Sequence, residues 1–545
     1  MCIGTPSVVT RAIAATLLAM LALGVSGAQT SDRYLIIHID AVSFQTYQRA
    51  LAEGRLPTFE RIFADGATRP ALSLFPGSTP VIYSRLRTGE ANDEGVALGI
   101  GGWLDRERDA FYREWAVRRD LVCSTPRRAQ TGFVYGWVAF TLAELSVMNL
   151  PTLLERYRVV EFFWFATDTI GHLDGIDAQI TWLSRLDAAI GRILPQLDLD
   201  DLNLIVYSDH GLSASDQPVD MGRVIADALG DAVRYAAYPN VYLHDRGCGA
   251  EAARLLGESA RFDVVVYRVD ADTVAGYLDG GVFEIRARDG GYAYLSPSDP
   301  FDYAAVGYDG SPLDADAWLA LTVAHPYPGA IPNLFRYAQH PNAGEVVFGL
   351  HPPRLPAGFP QFEGGHHAGV RDTDLLVPVW VRGPDLEHLM SDEPLWLHEL
   401  FQGIDPARLE PVFTREEHRF GVTFDAVAGE VALHGHYSPA YRWRLEAEAS
   451  SGGRVGAAVA YDLFSDYLVR LWVGPDVVLE DGAVRAGLRA ALDVDLGRVR
   501  ITPTLHADLR RVEVGVGAEV RFDVADGRVY LTMPGRGRWG VVAGW

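Results

Sequence analysis

The hydrophobic period of this chain changes once, near residue 420, and that change constrains the fold more than any other feature. Before it, continuous apolar runs alternate with helical ones. "RYLIIHID" (33–40), "VVEFFWFATD" (159–168), "DLNLIVYSDHG" (201–211) and "DLLVPVWVRGP" (374–384) read as strands buried on both faces. "SFQTYQRALAEG", "PTFERIFADG" and "AQITWLSRLDAAIGRIL" (178–194) read as helices, with Gly54 and Gly66 stopping the first two. Such strands separated by helices predict an α/β fold with a mostly parallel sheet and helices on both faces. Residues 213–360 are rich in Gly, Asp and Tyr and read as an inserted α+β cap, and 403–418 read as a linker.

After residue 420 the period is two. Val484, Ala486, Leu488, Ala490, Leu492 and Val494 alternate with Arg485, Gly487, Arg489, Ala491, Asp493 and Asp495. "YRWRLEAEAS" and "VEVGVGAEVRFDV" repeat the pattern. It predicts a C-terminal antiparallel β domain (420–545) of roughly eight strands, each with one apolar and one polar face. Strand length, a charged second face, interspersed Tyr and Trp, and the final "WGVVAGW" suit an outer-membrane barrel. An apolar face rich in Ala and Val but short of Leu and Phe suits a soluble sandwich equally well.

At the other end, Arg11 precedes an apolar run from Ala12 to Val25, followed by Ser26-Gly27-Ala28. This is the layout of a secretory signal over 1–28, too short for the about 20 apolar residues of a membrane helix. The expected destination is the periplasm or the outer membrane, with a catalytic domain over 29–405. Cys2 leaves with the signal; Cys123 and Cys248 remain, and their pairing is open. The net charge of −23 argues against a nucleic-acid partner but not against a small anion held at a metal. The chain has no lysine, which excludes a Walker-type loop and any lysine base.

Three of the strand readings end in aspartate: Asp40, Asp168 and Asp209. Sites in open α/β sheets form at the carboxyl ends of strands, and three carboxylates meeting there repel unless a cation joins them. His172 follows Asp168 by four residues, His210 follows Asp209 directly, and His366 and His367 precede the fourth strand. Such Asp/His sets suit zinc or a similar divalent ion. In "LFPGSTPVIYSRLRTG", Ser78 and Thr79 interrupt an apolar run where a helix begins. They either cap that helix or supply a nucleophile.

Six stretches carry a resemblance, in this order: "IHID", "PTFERIFADGA", "LFPGSTPVIYSRLRTG", "FFWFATDTIGH", "IVYSDHGL" and "GGHHAGVRDTDLLVPVWVRGP". Together they resemble the alkaline phosphatase superfamily, most closely its nucleotide pyrophosphatase/phosphodiesterase branch. The resemblance implies two divalent ions, one held by Asp40, Asp209 and His210 and the other by Asp168, His172 and His366. It implies Thr79 as a nucleophile that also meets the first ion, because Thr88-Gly89 lies at the family distance; Ser78 is the runner-up. Spacing to Gly383-Pro384 favours His366 over His367. The implied activity is hydrolysis of phosphodiester, phosphomonoester or pyrophosphate bonds in a small phosphate-ester substrate, through a covalent phospho-threonine.

The chain departs from the family in one respect. The diesterase branch carries an Asn beyond the nucleophile that holds a phosphate oxygen, whereas this chain reads "GIGGWLDRE" there, and Asn92 comes too early. Preference for diester over monoester therefore stays open. Arg85 and Arg87 read as a solvated helix face. Sulfatases share the fold but need an Arg where Ile82 stands, and cytosolic phosphomutases do not fit a signal peptide. The alternative from another class is a surface protein whose phosphatase-like domain is inactive and only binds ligand; the complete set of metal-binding side chains argues against it.

Overall fold

A computed structural model of the chain describes residues 33–88, 102–113 and 137–544 with short breaks, the longest at 357–363 and 410–416. The signal reading, Asn92, Cys123 and most of the linker lie outside the described residues.

A six-stranded sheet carries the strand order Leu395–Trp396, Ala67–Leu72, Leu376–Arg382, Leu202–Ser208, Arg33–Ile39 and Val159–Trp164. The last three of these run parallel to one another. Leu376–Arg382 runs antiparallel to both of its neighbours, so the sheet is more mixed than the sequence suggested. The strand Ala67–Leu72 was missed because Thr68, Arg69 and Pro70 interrupt its apolar character.

Burial on both faces explains the unbroken apolar runs. Leu35, Ile37 and Ile39 pack into a core with Tyr47, Phe59, Leu183 and Ile190, residues of the helices Phe44–Ala52, Pro57–Ile62 and Ile176–Ile193. Tyr34 and Ile36 point the opposite way into a second core. With a period of two, His38 falls on the Tyr34/Ile36 face. Buried Asp187 receives the Thr58 and Phe59 amides at 3.2 and 2.8 Å, which fixes the start of Pro57–Ile62 against the longer helix.

Within the range read as a cap, seven antiparallel strands form a second sheet running from Gly291–Leu295 at one edge to Val233–Ala237 at the other. Its core is aromatic: Phe283, Tyr294, Phe301, Tyr303 and Trp318 are buried, and the Phe301 and Tyr303 rings stack at 5.3 Å.

The C-terminal region is a closed antiparallel barrel of ten strands, from Glu417–Asp425 to Arg538–Gly544. The first strand pairs with the last, from Arg419↔Gly544 to Asp425↔Arg538. Closure removes the sandwich alternative. The count exceeds the roughly eight read from sequence because tight turns hide inside the alternation. One such turn, ending at Gly482 with φ 76°, joins Val469–Glu480 to Ala483–Leu496.

The two faces of the barrel are sorted in an unusual direction. Val484, Val514 and Leu488 stand outside at 71, 73 and 55 % exposure, whereas Asp462 and Asp493 are buried at 3 and 2 %. Asp493 accepts from Arg444 at 3.0 Å, from Trp472 Nε1 at 3.0 Å and from Thr502 at 2.9 Å. Glu446 bridges Arg444 at 2.5 Å and Arg489. The cavity lined by Arg444, Glu446, Trp472 and Arg489 measures about 10 Å³, room for about one water. Among the described residues, no helix is long and apolar enough to cross a membrane.

Candidate active site

The expected site residues come from five chain segments that meet at one edge of the six-stranded sheet. Asp40 follows the strand Arg33–Ile39, and Asp209 and His210 follow Leu202–Ser208. Those two strands are parallel neighbours with Ile39 opposite Ser208, so their carboxyl ends deliver both aspartates to one place. The backbone turns sharply there, with Ala41 at φ 63°, a left-handed conformation that a residue with a Cβ adopts only when held. Three contacts hold it: Ala41 N–H to Asp209 Oδ1 at 3.3 Å, Gln179 to Ala41 O at 2.9 Å, and Thr167 Oγ1 to Asp40 O at 2.6 Å. On the other side, a Cβ at Gly211 would lie 2.0 Å from the Thr373 carbonyl, so the residue after His210 must be glycine.

Asp168 does not end a strand. Val159–Trp164 stops four residues earlier, and Asp168 sits in the first turn of the helix Ala166–Asp174. This explains its spacing to His172: residues i and i+4 share a helix face, and His172 Nε2 lies 3.1 Å from Asp168 Oδ1.

Thr79 opens the helix Thr79–Thr88. Its Oγ1 donates to Asp40 Oδ1 at 3.2 Å and lies 3.3 Å from His210 Nε2. Ser78 supplies only its carbonyl, which accepts the Ile82 amide at 3.0 Å. The Ser78 hydroxyl is buried with no hydrogen-bond partner, so it does not cap the helix.

His366 requires a correction. The side chains that converge with Asp168 and His172 include His367, while His366 lies outside every cluster of potential metal donors among the described residues. His367 Nε2 is 3.6 Å from Asp168 Oδ1, and its ring stacks on His210 at 4.0 Å. His366 instead pairs through its backbone with Ser213, N–H to O at 2.9 Å and O to N–H at 2.8 Å. An extended segment cannot aim two consecutive side chains at one point. Arg85 is also corrected: at 2 % exposure it belongs to the interior and not to a solvated face. The Arg87 side chain lies outside the described residues.

Sequence reading missed His38. It is 1 % exposed, and its Nε2 lies 3.2 Å from Asp209 Oδ1. The available signal was its position two residues before Asp40 on an alternating strand.

Three groups of donor atoms lie within 4.8 Å of one another: Asp168, His172 and His367; His38, Asp40 and Asp209; and Asp40, Asp168 and His210. The histidine tautomers suit a cation. Nδ1 of His172, His210 and His367 faces a backbone carbonyl, of Gly365, Gly211 and Gly77, at 2.8, 2.9 and 2.6 Å. A carbonyl only accepts, so each Nδ1 carries its proton and each Nε2 directs a lone pair at the carboxylates. Asp168 Oδ1 and Asp209 Oδ2 are buried and receive no hydrogen bond. Lone pairs converging on orphaned carboxylate oxygens need positive charge between them, and one proton cannot serve three donors. The residues present therefore fit divalent ions.

The electrostatics agree. Burial raises the Asp40 carboxyl well above the usual range, and the charges of Asp209 and Asp168 raise it further. Burial also pushes Asp168 and Asp209 upward, but it is outweighed by nearby imidazoles, chiefly His172 for Asp168 and His210 and His38 for Asp209, so both are lowered; His172 is raised in turn because Asp168 outweighs its burial, a proton standing where the cation would. Burial lowers His367 well below its ordinary value, keeping it neutral as a ligand must be.

Comparison with known proteins finds one partial family match and several distant structural likenesses. Residues 107–274 match the family model of type I phosphodiesterase / nucleotide pyrophosphatase. No functionally curated protein matches the chain by sequence. Among solved structures, murine ectonucleotide pyrophosphatase / phosphodiesterase 5 is 14% identical with a TM-score of 0.37, covering 69% of this chain and 95% of that one. Phosphonoacetate hydrolase from Sinorhizobium meliloti 1021, in complex with phosphonoformate, is 14% identical with a TM-score of 0.37, covering 68% and 94%. The alkaline phosphatase PafA is 10% identical with a TM-score of 0.42, covering 71% and 97%. The matched stretch runs through Asp168, His172, Asp209 and His210, four of the side chains gathered at the site, and over that stretch the chain is similar to the type I phosphodiesterase / nucleotide pyrophosphatase family.

Proposed function

We propose that the chain is an exported, two-metal phosphoesterase that works through a phosphorylated Thr79 and is tethered in the outer membrane by its barrel. The observation that carries the catalytic part is the place of Thr79 Oγ1, at a helix N-terminus and between Asp40 Oδ1 and His210 Nε2. Asp168, His172 and His367 would hold one divalent ion. Asp40, Asp209 and His210 would hold the other, since His210 Nε2 lies 3.5 Å from Asp40 Oδ1 and 3.4 Å from Asp209 Oδ2. The mixed imidazole and carboxylate donors favour zinc. When bound, the pair supplies the positive charge that lowers the pKa of a hydroxyl or water and steadies the departing oxygen.

The chain's own residues do the rest. Asp40 Oδ1 accepts the Thr79 hydroxyl hydrogen bond and points the oxygen's lone pairs away from itself, toward the substrate phosphorus. The positive end of the helix dipole at the start of Thr79–Thr88 favours the phosphoryl oxygens. Attack forms the Oγ1–P bond and breaks the bond from phosphorus to the leaving oxygen, while the Oγ1 proton passes along its hydrogen bond to Asp40 Oδ1 and ends on the departing alcohol. Water then displaces Oγ1 from phosphorus, releasing phosphate or a phosphate monoester and restoring the hydroxyl. The substrate is a small phosphate ester. The direct test is turnover of aryl phosphodiester and aryl phosphomonoester by zinc-loaded protein. Turnover of at least one, lost with a chelator and restored by zinc, is expected. Ligand binding with no turnover of either would favour the inactive, ligand-binding alternative.

The barrel supports a tether. Among the described residues, its large exposed apolar side chains face outward and its buried ionised ones inward, the sorting that lipid demands and water does not. An even strand number leaves Glu417 and Gly544 on the same rim, which puts the catalytic domain on the side where the last strand ends. A lumen filled by Arg444, Glu446, Arg489 and Asp493 makes this barrel an anchor and not a pore. The full chain should resist osmotic shock and carbonate and need detergent for release. Leu488→Arg, on the outer face at 55 % exposure, should cost about 2–4 kcal/mol of insertion. Release of the intact chain by osmotic shock alone would rule the tether out.

A further inference from the structure

Resting on the two-metal reading above, we infer that His38 is a positioning residue for Asp209: it donates from Nε2 to Asp209 Oδ1 and so reserves Oδ2 for the cation. His38 belongs to none of the side-chain roles that the family resemblance supplies, yet it is 1 % exposed at the heart of the site.

Two sets of contacts carry the assignment. The first concerns Asp209, whose two oxygens have different surroundings. Oδ1 faces His38 Nε2 at 3.2 Å and receives the Ala41 amide at 3.3 Å. Oδ2 faces His210 Nε2 at 3.4 Å, is buried and receives no hydrogen bond. A carboxylate with one oxygen on the Ala41 amide and within reach of the His38 ring nitrogen, and the other left bare, is set for monodentate ligation through the bare one. The second concerns how His38 itself is held. Its ring lies nearly parallel to Tyr207, 13° apart at 4.8 Å between centroids, and packs against Phe163 at 4.5 Å. Tyr207 and Phe163 are its register partners on the two flanking strands, Leu202–Ser208 and Val159–Trp164. The sheet therefore clamps the imidazole edge-on to Asp209, with little freedom to turn away.

Two substitutions separate donor, ligand and filler. His38→Gln keeps an N–H donor of similar reach and loses the ring. His38→Phe keeps the ring and its stacking and loses the donor. The readout is zinc affinity of the purified full chain by competition with a chromophoric chelator, with near-UV circular dichroism and thermal midpoint recorded for each variant. If His38 positions Asp209, His38→Phe weakens one of the two zinc sites by about 10–100-fold while His38→Gln stays near wild type. Equal weakening in both variants would make His38 a ligand in its own right and overturn the proposal. Weakening in His38→Gln alone would reduce it to packing and also overturn it. If His38→Phe loses its near-UV signal, His38→Gln still decides, because only the positioning role leaves it near wild type; if His38→Gln loses it, His38→Asn takes its place as the variant that keeps a donor. A wild-type chain that binds no zinc would instead overturn the two-metal reading itself.

Discussion

Thr79→Ala should abolish turnover while both metal ions stay bound. The change removes one oxygen, the one that accepts the phosphoryl group, and leaves every Asp and His donor in place. Loss of a covalent nucleophile from an otherwise complete site costs on the order of 10³–10⁶-fold in kcat. By conversion that is about 4–8 kcal/mol of transition-state stabilisation. Thr79→Ser, which keeps the hydroxyl, should retain measurable activity. The competing nucleophile is Ser78, whose hydroxyl is buried and makes no hydrogen bond. Initial rates on an aryl phosphodiester, with metal content measured on the same samples, decide between them. Full activity in Thr79→Ala with none in Ser78→Ala would transfer the role to Ser78.

The second large effect separates two adjacent histidines. His367→Ala should empty one metal site and lower zinc affinity there by about 100-fold or more, because a first-sphere ligand costs at least as much as the outer partners that orient it. Activity should fall with it. His366→Ala should leave two ions bound and change affinity by less than about tenfold, since His366 acts through its backbone pairing to Ser213. Chelator competition on both variants checks this. The reverse result would restore the assignment that spacing to Gly383-Pro384 suggested.

That pair shows where sequence reading reached its limit. The strands, their carboxyl-terminal aspartates and the His four residues after Asp168 were legible, because each follows from a local period of the chain. Which of His366 and His367 enters the site was not, because it depends on a backbone pairing with Ser213 more than 150 residues away in sequence. Asp168 was placed at a strand end because "FFWFATD" is apolar throughout; the chain turns into a helix after Trp164, a boundary that periodicity does not mark. His38 was overlooked for the opposite reason: its position on the strand was readable, but the Tyr207 and Phe163 rings that aim it come from neighbouring strands. In the C-terminal region the alternation was plain from sequence. Closure and the outward direction of the apolar face were not, since a strand with two distinct faces does not say which one meets water.

The claim on which everything else depends is that two cations share the edge of the sheet beside Thr79. The metal content of the purified chain after zinc loading and removal of free metal tests it most directly. The account predicts two zinc ions per chain, falling to one when Asp168 is replaced by alanine. A well-folded chain that holds no zinc, or that holds the same amount with and without Asp168, would contradict it.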